Sequence, residues 1–101
     1  MNLTGQSILS DLPGSHLIRE GLEDYRENRH SIPSCLVRMA RRRLARAGLM
    51  EPSQGLDIDA ELDLYQLLSH QGNRAHSAYN ALIRELVSFE HALDHRLRHR
   101  P

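Results

Sequence analysis

The chain has 101 residues, enough for one domain with a buried core. Its 13 basic residues, all arginine, balance its 13 acidic residues, so the net charge is zero while the seven histidines are neutral. This balance argues against a protein that coats nucleic acid or an anionic membrane by bulk charge. We therefore expect residues 1–101 to form a single domain.

Cysteine content and the N-terminal sequence indicate a cellular location. The lone Cys35 excludes an internal disulfide and a thiolate metal cage, as in a reduced, cytosolic protein. The N-terminal segment has no positive charge ahead of a long apolar run, so it predicts neither a signal peptide nor a membrane span. We expect a cytoplasmic protein with no membrane contact and no cofactor.

The first part of the chain predicts one weak and one strong helix. Residues 3–12 form at most a short helical turn, which Pro13 and Gly14 end. Ser15 is placed to cap a helix that runs to about Arg29. Gly21 lies on the apolar face of this helix, which suggests that a neighbouring helix approaches closely there. The other residues of the face are Leu17, Ile18, Leu22 and Tyr25.

The second helix has the clearest end signals. Ser31 or Ser34 can cap it, Pro33 fits its first turn, and Gly48 ends it. Helical spacing predicts one apolar stripe and, on the opposite arc, a row of arginines. The stripe contains Leu36, Val37, Ala40, Leu44 and Ala47, and the arc contains Arg38, Arg41, Arg42 and Arg46.

The third helix is predicted from Asp57 or Asp59 to about His70, with acidic residues in its first turn. Its apolar residues face two ways. One set is Ile58, Leu62 and Tyr65, and the other is Leu64, Leu67 and Leu68. We therefore expect this helix to be buried on two sides or to contact a second subunit.

A break at Gly72 and Asn73 precedes the last helix, predicted from about Arg74 to His99. At 1.5 Å per residue its length is about 39 Å, long for a domain whose expected radius of gyration is near 13 Å. We expect its C-terminal end to project or to pack against another copy. Its apolar seam is Ala75, Ala78, Tyr79, Leu82, Leu86, Phe89, Leu93 and Leu97. The predicted fold is all-α, a small bundle of four main helices with a long C-terminal helix.

Charge is segregated along the chain, since residues 35–50 contain only basic charges and residues 51–73 only acidic ones. The arc of Arg38, Arg41, Arg42 and Arg46 could meet successive phosphates of a nucleic acid. A solvated helix face explains the same pattern, and no aromatic residue interleaves the arginines. Arg43 lies close to the apolar stripe, where we expect it to pair with a carboxylate between Asp57 and Asp63.

Three smaller groups of residues are candidate sites. His91 and His95 are one helical turn apart, with Asp94 in reach of His91, a spacing that suits a divalent metal ion. Arg74 and His76 begin the last helix, where backbone N–H groups can help to bind an anion. Cys35 lies in the first turn of its helix, ahead of several arginines, which favours a reactive thiolate. An ordinary helix start accounts equally well for Arg74 and His76, and ordinary surface or core roles account better for the other two groups.

No catalytic motif indicates an enzyme. The sequence favours a protein–protein interaction or regulatory module that forms a homodimer and binds another protein, through the third or last helix. Nucleic-acid binding by the arginine arc is the alternative, and metal or anion binding comes third.

Overall fold

A computed structural model describes residues 9–52, 59–72 and 74–99. All regular structure in these ranges is helical, which confirms the all-α prediction. The helices are α1 (Ser15–Arg26), α2 (Ile32–Met39), α3 (Arg41–Arg46), α4 (Ala60–Ser69) and α5 (Ala75–Arg98). The helical turn predicted in residues 3–12 and the predicted apolar residue Ile58 fall largely or wholly outside the described ranges.

Both ends of α1 differ from the prediction. Gly14, with a φ of 72°, precedes the helix, and Ser15 is its first residue rather than its cap. The helix ends at Arg26 instead of Arg29 because Asn28 takes a left-handed conformation, with a φ of 59°. The N–H of Arg29 then donates to the carbonyl of Asp24 at 2.8 Å, which closes a Schellman motif.

The start of α2 confirms Ser31 as its cap. The Ser31 hydroxyl accepts the Ser34 backbone N–H at 3.2 Å, and the Ser34 hydroxyl accepts the Ser31 N–H at 3.0 Å, a reciprocal capping box. The Ser31 hydroxyl also donates to Asp24 at 2.6 Å. This hydrogen bond, followed by that from Arg29, lowers the pKa of the Asp24 carboxyl. Asp24 thus joins the end of α1 to the start of α2.

The close approach predicted at Gly21 is confirmed. A Cβ atom at Gly21 would lie 2.3 Å from the carbonyl oxygen of Pro33 and 2.5 Å from Cγ2 of Val37. These distances are far below a van der Waals contact, so only glycine allows α1 and α2 to pack this closely. Ile18 and Leu22 fill the same interface.

The single helix predicted up to Gly48 is instead two helices, separated at Ala40, with a φ of −92° and a ψ of 12°. No glycine or proline lies at the break. The physical reason is tertiary packing, because α2 packs on α1 and α4, whereas α3 contacts α5. Gly48, with a φ of 80°, ends α3 as predicted, and the Leu49 N–H donates to the Leu44 carbonyl at 2.9 Å.

The core lies among the five helices, where α2 packs on α1 and α4, and α5 packs on α3 and α4. Burying each of its large apolar side chains contributes about 1.5–3 kcal/mol. The largest side chains that are almost completely buried are Phe89, Ile18, Leu36, Leu44, Leu64, Leu93 and Val37. In α4, Leu64 and Leu68 face this core, whereas Leu62 and Tyr65 remain exposed. The described part of the chain therefore covers α4 on one side only.

Helix α5 has 24 residues and a length of about 36 Å, most of the 46 Å long axis of the molecule, whose radius of gyration is 13.5 Å. Its C-terminal half is well packed, with Phe89 and Leu93 fully buried and Arg96 donating to the Ser10 carbonyl. The prediction that this end projects is therefore wrong. None of the described helices is long and apolar enough to cross a membrane.

Candidate interaction surface

An apolar surface that is partly exposed spans α4 and residues 79–87 of α5. We call it the α4–α5 face and define it by Leu62, Tyr65, Tyr79, Ile83 and Val87. Leu62 is 57%, Tyr65 38% and Val87 41% exposed, and they are the only large hydrophobic side chains this exposed among the described residues. Helical spacing puts Leu62 beside Tyr65 on α4, and Tyr79, Ile83 and Val87 along one stripe of α5.

Aromatic packing joins the two halves of this face. The rings of Tyr65 and Tyr79 meet edge to face, with their centroids 5.6 Å apart. Burial, and then the negative charge of Glu61, raises the pKa of Tyr79. The two tyrosines therefore join α4 to α5. Glu61 lies close enough for its charge to affect the pKa of Tyr79.

Charges of both signs border the α4–α5 face. Glu61 precedes Leu62 on α4, and Arg84 follows Ile83 on α5; both side chains are exposed. A surface with an apolar centre and a polar rim of mixed charge is typical of protein interfaces.

The four arginines of the predicted nucleic-acid arc have different environments. Arg38 donates to Asp63 on α4 at 2.7 Å, so the acidic segment does cover this member of the arc. Arg41 stacks 5.5 Å above the Tyr25 ring. Arg42 and Arg46 are exposed on α3. The nucleic-acid interface stays a prediction, and two of its four cations have partners within the chain.

Arg43 is paired as expected, but with other carboxylates than those between Asp57 and Asp63. Its guanidinium donates to Asp94 and to Glu90 on α5, both at 3.0 Å. The hydrogen bond to Asp94 contributes most to raising the pKa of Arg43. Burial raises the pKa of Glu90, against the opposing effect of Arg43. The break at Ala40 explains the difference, because it turns α3 toward α5.

The residues of the predicted metal site do not form a ligand group. No three histidine, cysteine or acidic side chains in the described ranges are arranged to hold a metal ion. The Asp94 carboxylate is engaged by Arg43. The His95 ring packs near His99, with centroids 4.3 Å apart, and His91 is exposed. The structure gives no support to metal binding by His91, Asp94 and His95.

The predicted anion site is exposed, whereas the predicted reactive thiol is buried. Arg74 and His76 are exposed at the start of α5, where His76 contacts the Asn80 amide at 3.3 Å. Anion binding there stays a prediction. Cys35 is in the first turn of α2 and is 0% exposed. A reactive thiol needs an accessible sulfur, so the folded chain does not support that role.

The sequence pattern did not predict one further feature, a groove between α1 and the segment after α3. Tyr25 and Arg26 of α1 line it on one side, and Arg41 and Leu49 line it on another. The one signal in the sequence was Leu49, an apolar residue directly after the helix-ending Gly48. Its side chain returns to the molecule and is 8% exposed.

Comparison of the chain with protein-family models, with curated proteins and with solved structures finds no match.

Proposed function

We propose that this protein is a helical protein–protein interaction module that acts as a homodimer, with the α4–α5 face of each copy packed against the other. The observation that carries this proposal is the exposure of Leu62, Tyr65 and Val87 on two adjoining helices. Scattered apolar side chains are normal on a protein surface, but a contiguous apolar patch marks an interaction site.

The order of the helices supports pairing with a second copy. Consecutive helices α4 and α5 pack on each other and are joined by the short segment 70–74, which makes them a helical hairpin. Two such hairpins placed face to face form a four-helix bundle, a common arrangement in small helical proteins. The exposed half of α4 then obtains the cover that the rest of its own chain does not give it.

The rim charges also fit a symmetric dimer. In a two-fold interface the same patch meets itself, so the patch must be complementary to itself. Exposed Glu61 on α4 and exposed Arg84 on α5 supply opposite charges that a two-fold axis can pair between copies. This complementarity favours a second copy over an unrelated partner of one dominant charge.

The test is the molar mass of the wild type and of Leu62→Glu, measured by light scattering on a sizing column. Leu62 is more than half exposed, so a glutamate there should leave the fold of the subunit intact while burying a charge in the interface. We expect a dimeric wild type and a monomeric variant with an unchanged helical circular dichroism spectrum.

A matched control is His16→Glu, which adds one negative charge at an exposed position of α1. It should remain dimeric. A wild type that is monomeric throughout the micromolar range, or a Leu62→Glu variant that is as dimeric as the wild type, would show that the α4–α5 face is not the interface.

A further inference from the structure

The groove between α1 and the segment after α3 has the size and lining of a small-molecule site. It encloses about 540 Å³, within the range of ligand pockets in proteins. Leu22 of α1 forms one apolar wall, and Leu49 and Met50 form the other. Met50 is unbranched and adaptable, which suits a wall that contacts an apolar ligand.

Two guanidinium groups, those of Arg26 and Arg41, also line this groove. No carboxylate in the described ranges forms an ion pair with either of them. Other arginines do form ion pairs. Arg29, which follows α1, pairs with Asp24, and Arg43 on α3 pairs with Asp94 on α5. The groove therefore carries two cations, and the acids in the described ranges only partly balance their charge.

The Arg41 side chain is partly buried, and not all of its hydrogen-bond donors have an acceptor within the described chain. Its guanidinium stacks on Tyr25, and its Nε atom is buried with no hydrogen-bond partner within the described chain. A buried donor left without an acceptor carries a free-energy cost. An anion that binds to this guanidinium would offset part of that cost, since a charged acceptor makes the stronger kind of hydrogen bond.

We propose that this groove binds a small-molecule carboxylate with an apolar body. The carboxylate pairs with Arg41 and Arg26, while the apolar body lies between Leu22 and Leu49. Among the described residues, Glu51 is the one acid that lines the groove, so two cations outweigh one anion there. The site is on α1 and α3, away from the α4–α5 face, and does not depend on the proposed dimer.

Isothermal titration calorimetry with octanoate tests this proposal, with 1-octanol as the neutral ligand of equal chain length. Both ligands offer the same hydrocarbon to the apolar walls, and only octanoate offers a charge to the arginines. We expect octanoate to bind at least about tenfold more tightly, as a charge-assisted hydrogen bond predicts. Equal affinities, or no octanoate binding at millimolar concentration, would overturn the proposal.

Two arginine variants locate the site. Arg41→Gln shortens the side chain, keeps a hydrogen-bond donor and removes the charge, and should weaken octanoate binding about tenfold or more. Arg42→Gln is the matched control, because Arg42 is exposed on the same helix and does not line the groove. Its affinity should stay within about twofold of the wild type, as expected for an exposed charge that does not contact the ligand and is screened by salt. Equal losses in the two variants would contradict the assignment. Thermal melts of both variants verify that they are folded.

Discussion

The packing of α1 against α2 depends on the absence of a side chain at Gly21. A methyl group there would meet the Pro33 carbonyl, a backbone atom that a rotamer change cannot move. The space between α1 and α2 is therefore set by a single residue.

We expect Gly21→Ala to destabilise the fold by about 2 kcal/mol, because the overpacking cost exceeds the gain of about 1 kcal/mol in helix propensity. Urea unfolding followed by circular dichroism measures this change. Glu20→Ala, at the exposed neighbouring position, should alter stability by no more than about 0.5 kcal/mol. A Gly21→Ala variant as stable as the wild type would mean that α1 and α2 separate at little cost.

At the level of single residues, the sequence was informative where a residue has one dominant preference. Gly21 on an apolar stripe predicts a close approach, and Ser31 before Pro33 predicts a cap; both are confirmed. Asn28 was missed, because asparagine adopts left-handed and ordinary conformations and only the surrounding hydrogen bonds select between them. The early end of α1 follows from that one torsion angle.

At the level of the helices, Arg43 with Glu90 and Asp94 links α3 to α5. We expect Asp94→Asn to reduce the free energy of unfolding by about 1–2 kcal/mol, and Glu90→Gln by less than about 1 kcal/mol. The difference arises because Asp94 interacts most strongly with Arg43, whereas burial opposes the charge on Glu90. Both values are modest because Arg43 is 41% exposed and water screens the pairs. Equal losses in the two variants would contradict this ranking.

The same link predicts how stability depends on pH. The pKa of Glu90 is higher in the folded chain than its ordinary value of 4.5, so protonation favours folding below pH 4.5, and this contribution is lost as the pH rises through the folded pKa. Glu90→Gln remains neutral throughout. The stability of the wild type relative to this variant should therefore fall as the pH rises above 4.5, as urea titrations at several pH values can measure. A constant difference would show that Glu90 titrates normally.

The break at Ala40 shows why helix boundaries were harder to predict than the helices themselves. Nothing in the local sequence ends a helix there, and the apolar stripe continues through Leu44. The helix is interrupted where its two halves contact different helices, a constraint that spacing along one helix cannot show. The partners of Arg38 and Arg43 were hidden from the sequence for the same reason.

For the whole molecule, the sequence predicted the helical fold and the two-sided apolar pattern of α4. The prediction that the C-terminal end of α5 projects was wrong, because the seam of apolar residues has similar spacing throughout and does not show which half the core covers. The buried end is the C-terminal one, where Phe89 and Leu93 meet the core. The candidate surface therefore lies at the other end of α5 from the one expected.

The pairing of α1 with α2 has a consequence for the order of folding. Their contacts, including Asp24 with Ser31 and the approach at Gly21, all fall within the continuous stretch 15–39. Short loops close at low entropic cost, so this hairpin should form before α5 docks from a distant part of the chain. Gly21→Ala should then mainly slow refolding, whereas Leu93→Ala should mainly speed unfolding, as stopped-flow measurements in urea can resolve. The reverse pattern would assign the folding nucleus to α5; the expected pattern would make the first two helices the template on which the rest of the domain assembles.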